Sequence, residues 1–219
     1  MRVRPGQCIL LTGFEPFAGE KINPSWEIVR VFPENLLGYR VEKRCVPVQF
    51  GHSINMVTTA IEALKPALVL CLGQAGNRAH MSMERIAINV DDARITDNAG
   101  HKPVDEPIHT VGPAAYFSTL PIKTMVRAMT RRDIPAEISN SAGTFVCNHL
   151  IYGVLHHIAQ HGYKIRAGFM HVPYLDEQVI DKPGVPSLPL DTMITATKAA
   201  IIAAIRNPKD LKLVGGTLA

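Results

Sequence analysis

Ala67-Leu-Val-Leu-Cys-Leu72 is an apolar run with no polar residue alternating through it. A strand with one face in water alternates in character, so an unbroken run of this length reads as a strand covered on both faces. Working outward, Ser53 to Leu64 before it reads as a helix, and three more runs read as strands: Gln7 to Thr12, Tyr39 to Val48 and Lys164 to His171. Ala136 to Asn140 is a shorter candidate, and Arg85 to Val90 adds an edge or hairpin strand. A helix is expected from Asn23-Pro24 through Val29, where Asn caps and Pro takes the first helical position. Others are expected at Ile122 to Arg132, Thr144 to Gln160 and Leu190 to Arg206. In the last, Leu190, Met193, Ile194, Thr197, Ile201, Ala204 and Ile205 make one buried face, which core packing accounts for. This rhythm specifies an α/β fold, a mostly parallel sheet of five or six strands with helices on both faces.

A chain of 219 residues, 47% hydrophobic and 19% charged, can bury a sizeable core, and residues 1–219 are expected to form one domain. Nothing approaches the roughly 18 consecutive apolar residues of a membrane span. The opening Met1 to Cys8 has no apolar h-region before a cleavage site, so a soluble, cytoplasmic protein with no membrane partner is expected. The 23 Lys and Arg against 19 Asp and Glu give a scattered +4, too weak for a nucleic-acid partner. Cys8, Cys45, Cys71 and Cys147 lie far apart without Cys-x-x-Cys spacing, which fits reduced thiols better than disulfides or a zinc site. Asp91 to Pro113, and Val172 to Pro189 with its four prolines, read as irregular segments of the kind that form lids or interfaces.

The run Ser139-Asn-Ser-Ala-Gly-Thr-Phe-Val-Cys147-Asn-His leads from strand to helix and sets a thiol near a helix N-terminus. Free backbone N–H groups and the helix dipole there favour a thiolate, and the same N–H groups can receive an oxyanion. The plain alternative is an inert core cysteine beside Phe145 and Val146, and Cys8, Cys45 and Cys71 fit that description. His171, at the C-terminal end of a strand, stands where open α/β sheets place their crevices and is a candidate base. His149, His156, His157 and His161 share one helix, but no carboxylate pair nearby completes a metal set, and a partly solvated surface is expected. A third group should orient the base; the residues alone do not choose among the acids, and an Arg85 salt bridge is the plain reading of Glu84. Thr12-Gly-Phe-Glu-Pro-Phe-Ala-Gly19 lacks the spacing of a phosphate loop; Phe14 and Phe17 suit a flat uncharged ligand or packing beneath the loop.

Four segments resemble one family. They are Thr12-Gly-Phe-Glu-Pro-Phe with Asn23-Pro-Ser, Glu84 to Ile95 with Asp97-Asn, Ser139 to Asn148, and Phe169-Met-His-Val-Pro173. In this order and spacing they resemble the pyrrolidone-carboxylate peptidases, also called pyroglutamyl peptidase I, cysteine peptidases that remove an N-terminal pyroglutamyl group. The resemblance spans nearly the whole chain. It implies a three-layer α/β/α sandwich, a single catalytic domain, a catalytic set of Glu84, Cys147 and His171, no cofactor and no metal. It also implies a pyroglutamyl pocket of Phe14, Phe17, Gln74, Ile95, Phe145 and Val146, Arg94 near the site, peptide substrates and a homotetramer. Three positions depart from it: Ala18 where paired glycines are frequent, Val48 where Thr is common, and Thr96 in place of Pro. Two other classes stay open on the residues alone: a non-catalytic 5-oxoproline or peptide-binding module, and a redox sensor, for which no resolving cysteine lies near Cys147.

Overall fold

The computed structural model describes residues 7–216; Met1 to Gly6, most of the segment read for an export signal, and 217–219 lie outside the described residues. In chain order the elements are β1 (Cys8–Phe14), α1 (Pro24–Val31), β2 (Asn35–Leu36), β3 (Tyr39–Val46), α2 (His52–Leu64), β4 (Leu68–Gln74) and β5 (Met81–Glu84). There follow β6 (Ile86–Ile88), β7 (Ala115–Phe117), α3 (Ile122–Thr130), β8 (Ala136–Ser139), α4 (Val146–Gln160), β9 (Arg166–Val172) and α5 (Leu190–Arg206).

One sheet runs β2-β3-β1-β4-β9-β5-β8. β3, β1, β4 and β9 are parallel neighbours, while β5 is antiparallel to β9 and parallel to β8, so β5 and β8 at one side and the short β2 at the other run against those four. β1 is buried along its whole length, and β4 and β9 at every residue but one, as their apolar runs require. Leu70, Leu72, Met170 and Val172 face α1, α3 and α5 through Ile28, Met125 and Ile201. Val69, Cys71, Ala167 and Phe169 face α2 and α4 through Val57, Ile61, Leu150 and Val154. Alternate residues of the same strands thus feed two cores, which is the expected three-layer sandwich. No helix of the described residues is long and apolar enough to cross a membrane.

The main sheet has seven strands where five or six were expected. Met81-Ser-Met-Glu84 was not foreseen as a strand, because four residues rich in methionine carry almost no strand signature; insertion between β9 and β8 makes it one. The strand expected at Arg85 to Val90 shortens to β6 and leaves the main sheet to pair antiparallel with β7. Asn148 of α4 holds it there: its Oδ1 accepts from Ile88 N at 2.9 Å and its Nδ2 donates to Ile88 O at 2.9 Å. Asn23 caps α1 as expected, its Oδ1 accepting from Ser25 N at 3.1 Å.

Candidate active site

Side chains two apart on a strand share a face, and partners in register across a parallel pair point the same way. His171 of β9 is in register with Gly73 of β4 and with Ser82 of β5, so Glu84, two beyond Ser82, shares its face. Cys147, second residue of α4, comes to that face as well. A Cβ built on Gly73 would lie 2.8 Å from Cys147 Sγ and 2.6 Å from Phe169 Cζ, so the thiol rests against the bare backbone of β4 next to the His171 strand. Nucleophile and base candidates therefore lie on one side of the sheet.

His171 Nδ1 lies 2.7 Å from Glu84 Oε1, with both side chains buried. An ionised carboxylate only accepts, so Nδ1 carries the hydrogen and Nε2 keeps the lone pair. Arg78, in the turn after β4, donates from Nη1 to the same Oε1 at 2.7 Å and from Nη2 to the Ser141 carbonyl at 3.2 Å. Burial on its own would raise the Glu84 pKa; the hydrogen bond and charge of His171, the Ser139 hydroxyl and the Arg78 charge outweigh it and hold the carboxyl below its ordinary value. Glu84 is thus bridged by Arg78, not by Arg85. Arg85 is on the opposite pleat, and its guanidinium donates to Gly215 O.

The surroundings of Cys147 correct one expectation. The residue keeps some accessible surface, yet burial of its sulfur pushes the thiol up to about 12; Glu84 and Cys71 add to this and Arg78 opposes it. Desolvation is the largest influence on the resting thiol, which holds its proton until a base takes it. Cys71 is likewise pushed up to about 12 by burial, and burial raises Cys8 and Cys45 too. Cys71 lies in the apolar core and the buried Cys8 faces the Leu64 carbonyl, as core roles require, while Cys45 is only half-buried.

Beside the thiol is a narrow cavity of about 10 Å³ lined by Phe14, Phe17, Asn23, Val48, Gln74, Phe145, Val146 and Cys147. Its walls are aromatic: Phe17 and Phe145 stand 6.3 Å apart centre to centre, and Phe50 packs edge-on to Phe145 at 5.5 Å. Five of the six residues expected for a pocket line it. Ile95 does not: it is 45% exposed and stands outside the lining, as does the exposed Arg94, because their stretch of loop turns its side chains outward.

A profile described as pyroglutamyl peptidase, peptidase family C15, matches residues 7–207. The chain belongs to the pyroglutamyl peptidase family. A pyrrolidone-carboxylate peptidase of Yersinia pestis is 49% identical over 211 residues, covering 96% of this chain and 98% of the relative. The pyroglutamyl peptidase I of Bacillus amyloliquefaciens superposes with a TM-score of 0.92 at 43% identity, covering 95% of this chain and all of that one. The pyrrolidone carboxyl peptidase of Thermococcus litoralis gives 0.91 at 36% identity, covering 95% and 99% of the two chains. Of the family departures, Val48 lines the cavity with a methyl-bearing wall, its backbone N–H donating to Glu15 Oε1 at 3.1 Å. Ala18 sits at φ 53°, a left-handed conformation that a glycine adopts more easily.

Two groups of residues on and around α4 escaped the sequence reading. His149 is buried rather than solvated: its Nδ1 lies 2.7 Å from Asp91 Oδ2, and its Nε2 accepts from Gly51 N at 2.7 Å. Two residues after Cys147, it ties α4 to the start of α2 and to the Asp91 segment. That segment is itself anchored, with Asp97 accepting from the backbone of Phe50, Ala99 and His101 at 2.8 to 2.9 Å. At the far end of α4, His157 and His161 do meet a carboxylate, Glu62 of α2, within 4.8 Å. Glu62 already bears the Lys65 ammonium and the Tyr163 hydroxyl, which a cation would have to displace. Spacing within one helix could not disclose an acid contributed by another.

Proposed function

We propose that this chain is a cysteine exopeptidase that hydrolyses the amide bond after an N-terminal pyroglutamyl residue, with Cys147 as nucleophile, His171 as base and Glu84 orienting the base. The observation that carries this reading is the buried Glu84–His171 pair on the face of the sheet where the thiol of Cys147 rests against Gly73. The pyroglutamyl ring is a lactam without charge, and an aromatic cavity holding the Asn23 and Gln74 amides suits it. Phe14, Phe17, Gln74, Phe145 and Val146 bind the ring; Ile95 and Arg94, exposed outside the cavity, serve the peptide beyond it.

His171 Nε2 takes the thiol proton as Sγ bonds to the scissile carbonyl carbon, and the carbonyl oxygen becomes an oxyanion. The free N–H groups in the first turn of α4 receive it, since no side chain caps that end. The oxyanion collapses, the C–N bond breaks, and the imidazolium returns its proton to the departing amine. Water then adds to the thioester with His171 again as base, releasing pyroglutamate and the thiol. Glu84 keeps the imidazole in the tautomer that both steps need.

The chemistry uses one catalytic domain over residues 1–219, acting on peptides in the cytoplasm as a homotetramer. The exposed Val104, Val111 and Phe117 are apolar surface for subunit contacts, and light scattering of the eluted protein reads the assembly. The activity is tested with a pyroglutamyl arylamide, with and without prior alkylation by iodoacetamide. Arylamine release abolished by alkylation is expected. Binding of the arylamide without release would show a binding module, and neither binding nor release would overturn the reading altogether.

A further inference from the structure

From the forked contact of Arg78 with both Glu84 and the Ser141 carbonyl, we infer that Arg78 is a positioning residue that sets the working pH range of the Cys147–His171 pair. The inference rests on the catalytic reading above.

The guanidinium presents two donors in a rigid plane, and here each goes to a different part of the site. Nη1 meets Glu84 Oε1, the same oxygen that His171 Nδ1 reaches, each at 2.7 Å. Nη2 meets the carbonyl of Ser141 at 3.2 Å, in the loop that leads from β8 into the Cys147 helix. A single side chain therefore ties the acid that orients the base to the segment that delivers the nucleophile. Lysine could supply the charge but not both contacts in one plane.

Its electrostatic part follows from who faces the thiol. Among the described residues these are Glu84 from β5, Cys71 from β4, His171 from β9 and Arg78 from the β4–β5 turn. Glu84 favours retention of a proton on the sulfur. Arg78 shares the carboxylate oxygen, offsets that charge and opposes the upward push on the thiol. Without it the carboxylate would act unshared on the thiol, which would hold its proton to higher pH. Arg78 keeps part of its side chain in solvent while that of Glu84 is 2% exposed.

The test compares Arg78→Met, Arg78→Lys and the native chain over a pH series, with two readouts. One is kcat/KM for a pyroglutamyl arylamide; the other is the rate of iodoacetamide alkylation of Cys147, located by peptide mass. Arg78→Met should move the acid limb of both profiles alkaline by about one pH unit, as loss of a close opposite charge does. Arg78→Lys should leave the limb within about 0.3 unit while lowering the rate severalfold, since charge stays and the second contact goes. Unmoved limbs in Arg78→Met would overturn the inference whatever its rate, and so would an alkaline move in Arg78→Lys equal to that of Arg78→Met. Should Arg78→Met lose its fold by circular dichroism, Arg78→Gln, uncharged but still a donor, takes its place with the same expectation. If the native chain released no arylamine, the catalytic reading would fall, while the alkylation profiles would still decide the role of Arg78.

Discussion

Gly73→Ala is a small change with a large expected effect. The added methyl would stand 2.6 Å from Phe169 Cζ and 2.8 Å from Cys147 Sγ. Carbon and sulfur in contact need roughly 3.5–4.0 Å, so each neighbour must retreat by about 1 Å. Phe169 is buried against His171, with ring centres 4.8 Å apart, and cannot retreat without disturbing the base. Overpacking of this kind destabilises by about 1–3 kcal/mol. At roughly 3 °C per kcal/mol for a chain of this size, the melting temperature should fall by roughly 3–9 °C. A reacting atom misplaced by about 1 Å loses on the order of a hundredfold in rate. The assay is arylamide turnover beside a calorimetric melt, with Gly76→Ala, which would crowd Tyr174 instead, as the control for crowding elsewhere. Turnover of Gly73→Ala within threefold of the native value would refute the placement of the thiol against β4.

Glu84→Gln keeps shape but loses the charge that holds His171; kcat should drop by about 10²–10⁴ with KM little changed, read from steady-state rates. The pKa values of Glu84 and Asp97 are lowered in the folded chain, so their stabilisation is present above the ordinary carboxylate range and is lost as pH falls through the lowered values; acid melts of Asp97→Asn should be shallower than those of the native chain. His149→Ala leaves Gly51 N–H and the Asp91 carboxylate without their buried partner, and the denaturation midpoint should show a loss of about 2–4 kcal/mol. Ala18→Gly relieves a left-handed alanine and should be neutral or stabilising by up to about 1 kcal/mol, with turnover unchanged.

The sequence disclosed what depends on local pattern. The apolar runs of β1, β4 and β9, the Asn23-Pro24 start of α1 and the single face of α5 each declare themselves within a few residues. Hidden from it were features built by residues distant in the chain. β5 is a strand only because β9 and β8 flank it, and β6 leaves the main sheet because Asn148, sixty residues on, binds Ile88. Cys147 and His171 were legible as types in suggestive settings, and family resemblance raised Glu84 from a salt-bridge partner of Arg85 to the acid that orients the base. Arg78 gave no sign, since nothing in Gly76-Asn-Arg78 tells that its guanidinium turns back to Glu84. Burial of the Cys147 sulfur was also out of reach, because the helix end is visible in the sequence and the packing of Phe169 and β4 around it is not.

The most direct measurement mixes the native chain with a pyroglutamyl arylamide, quenches in acid within the first turnover and maps the acylated peptide by mass. One pyroglutamyl group in thioester linkage on Cys147, absent from Cys147→Ala along with all turnover, is the predicted result. Acylation of any other residue, or arylamine release by Cys147→Ala, would contradict the account.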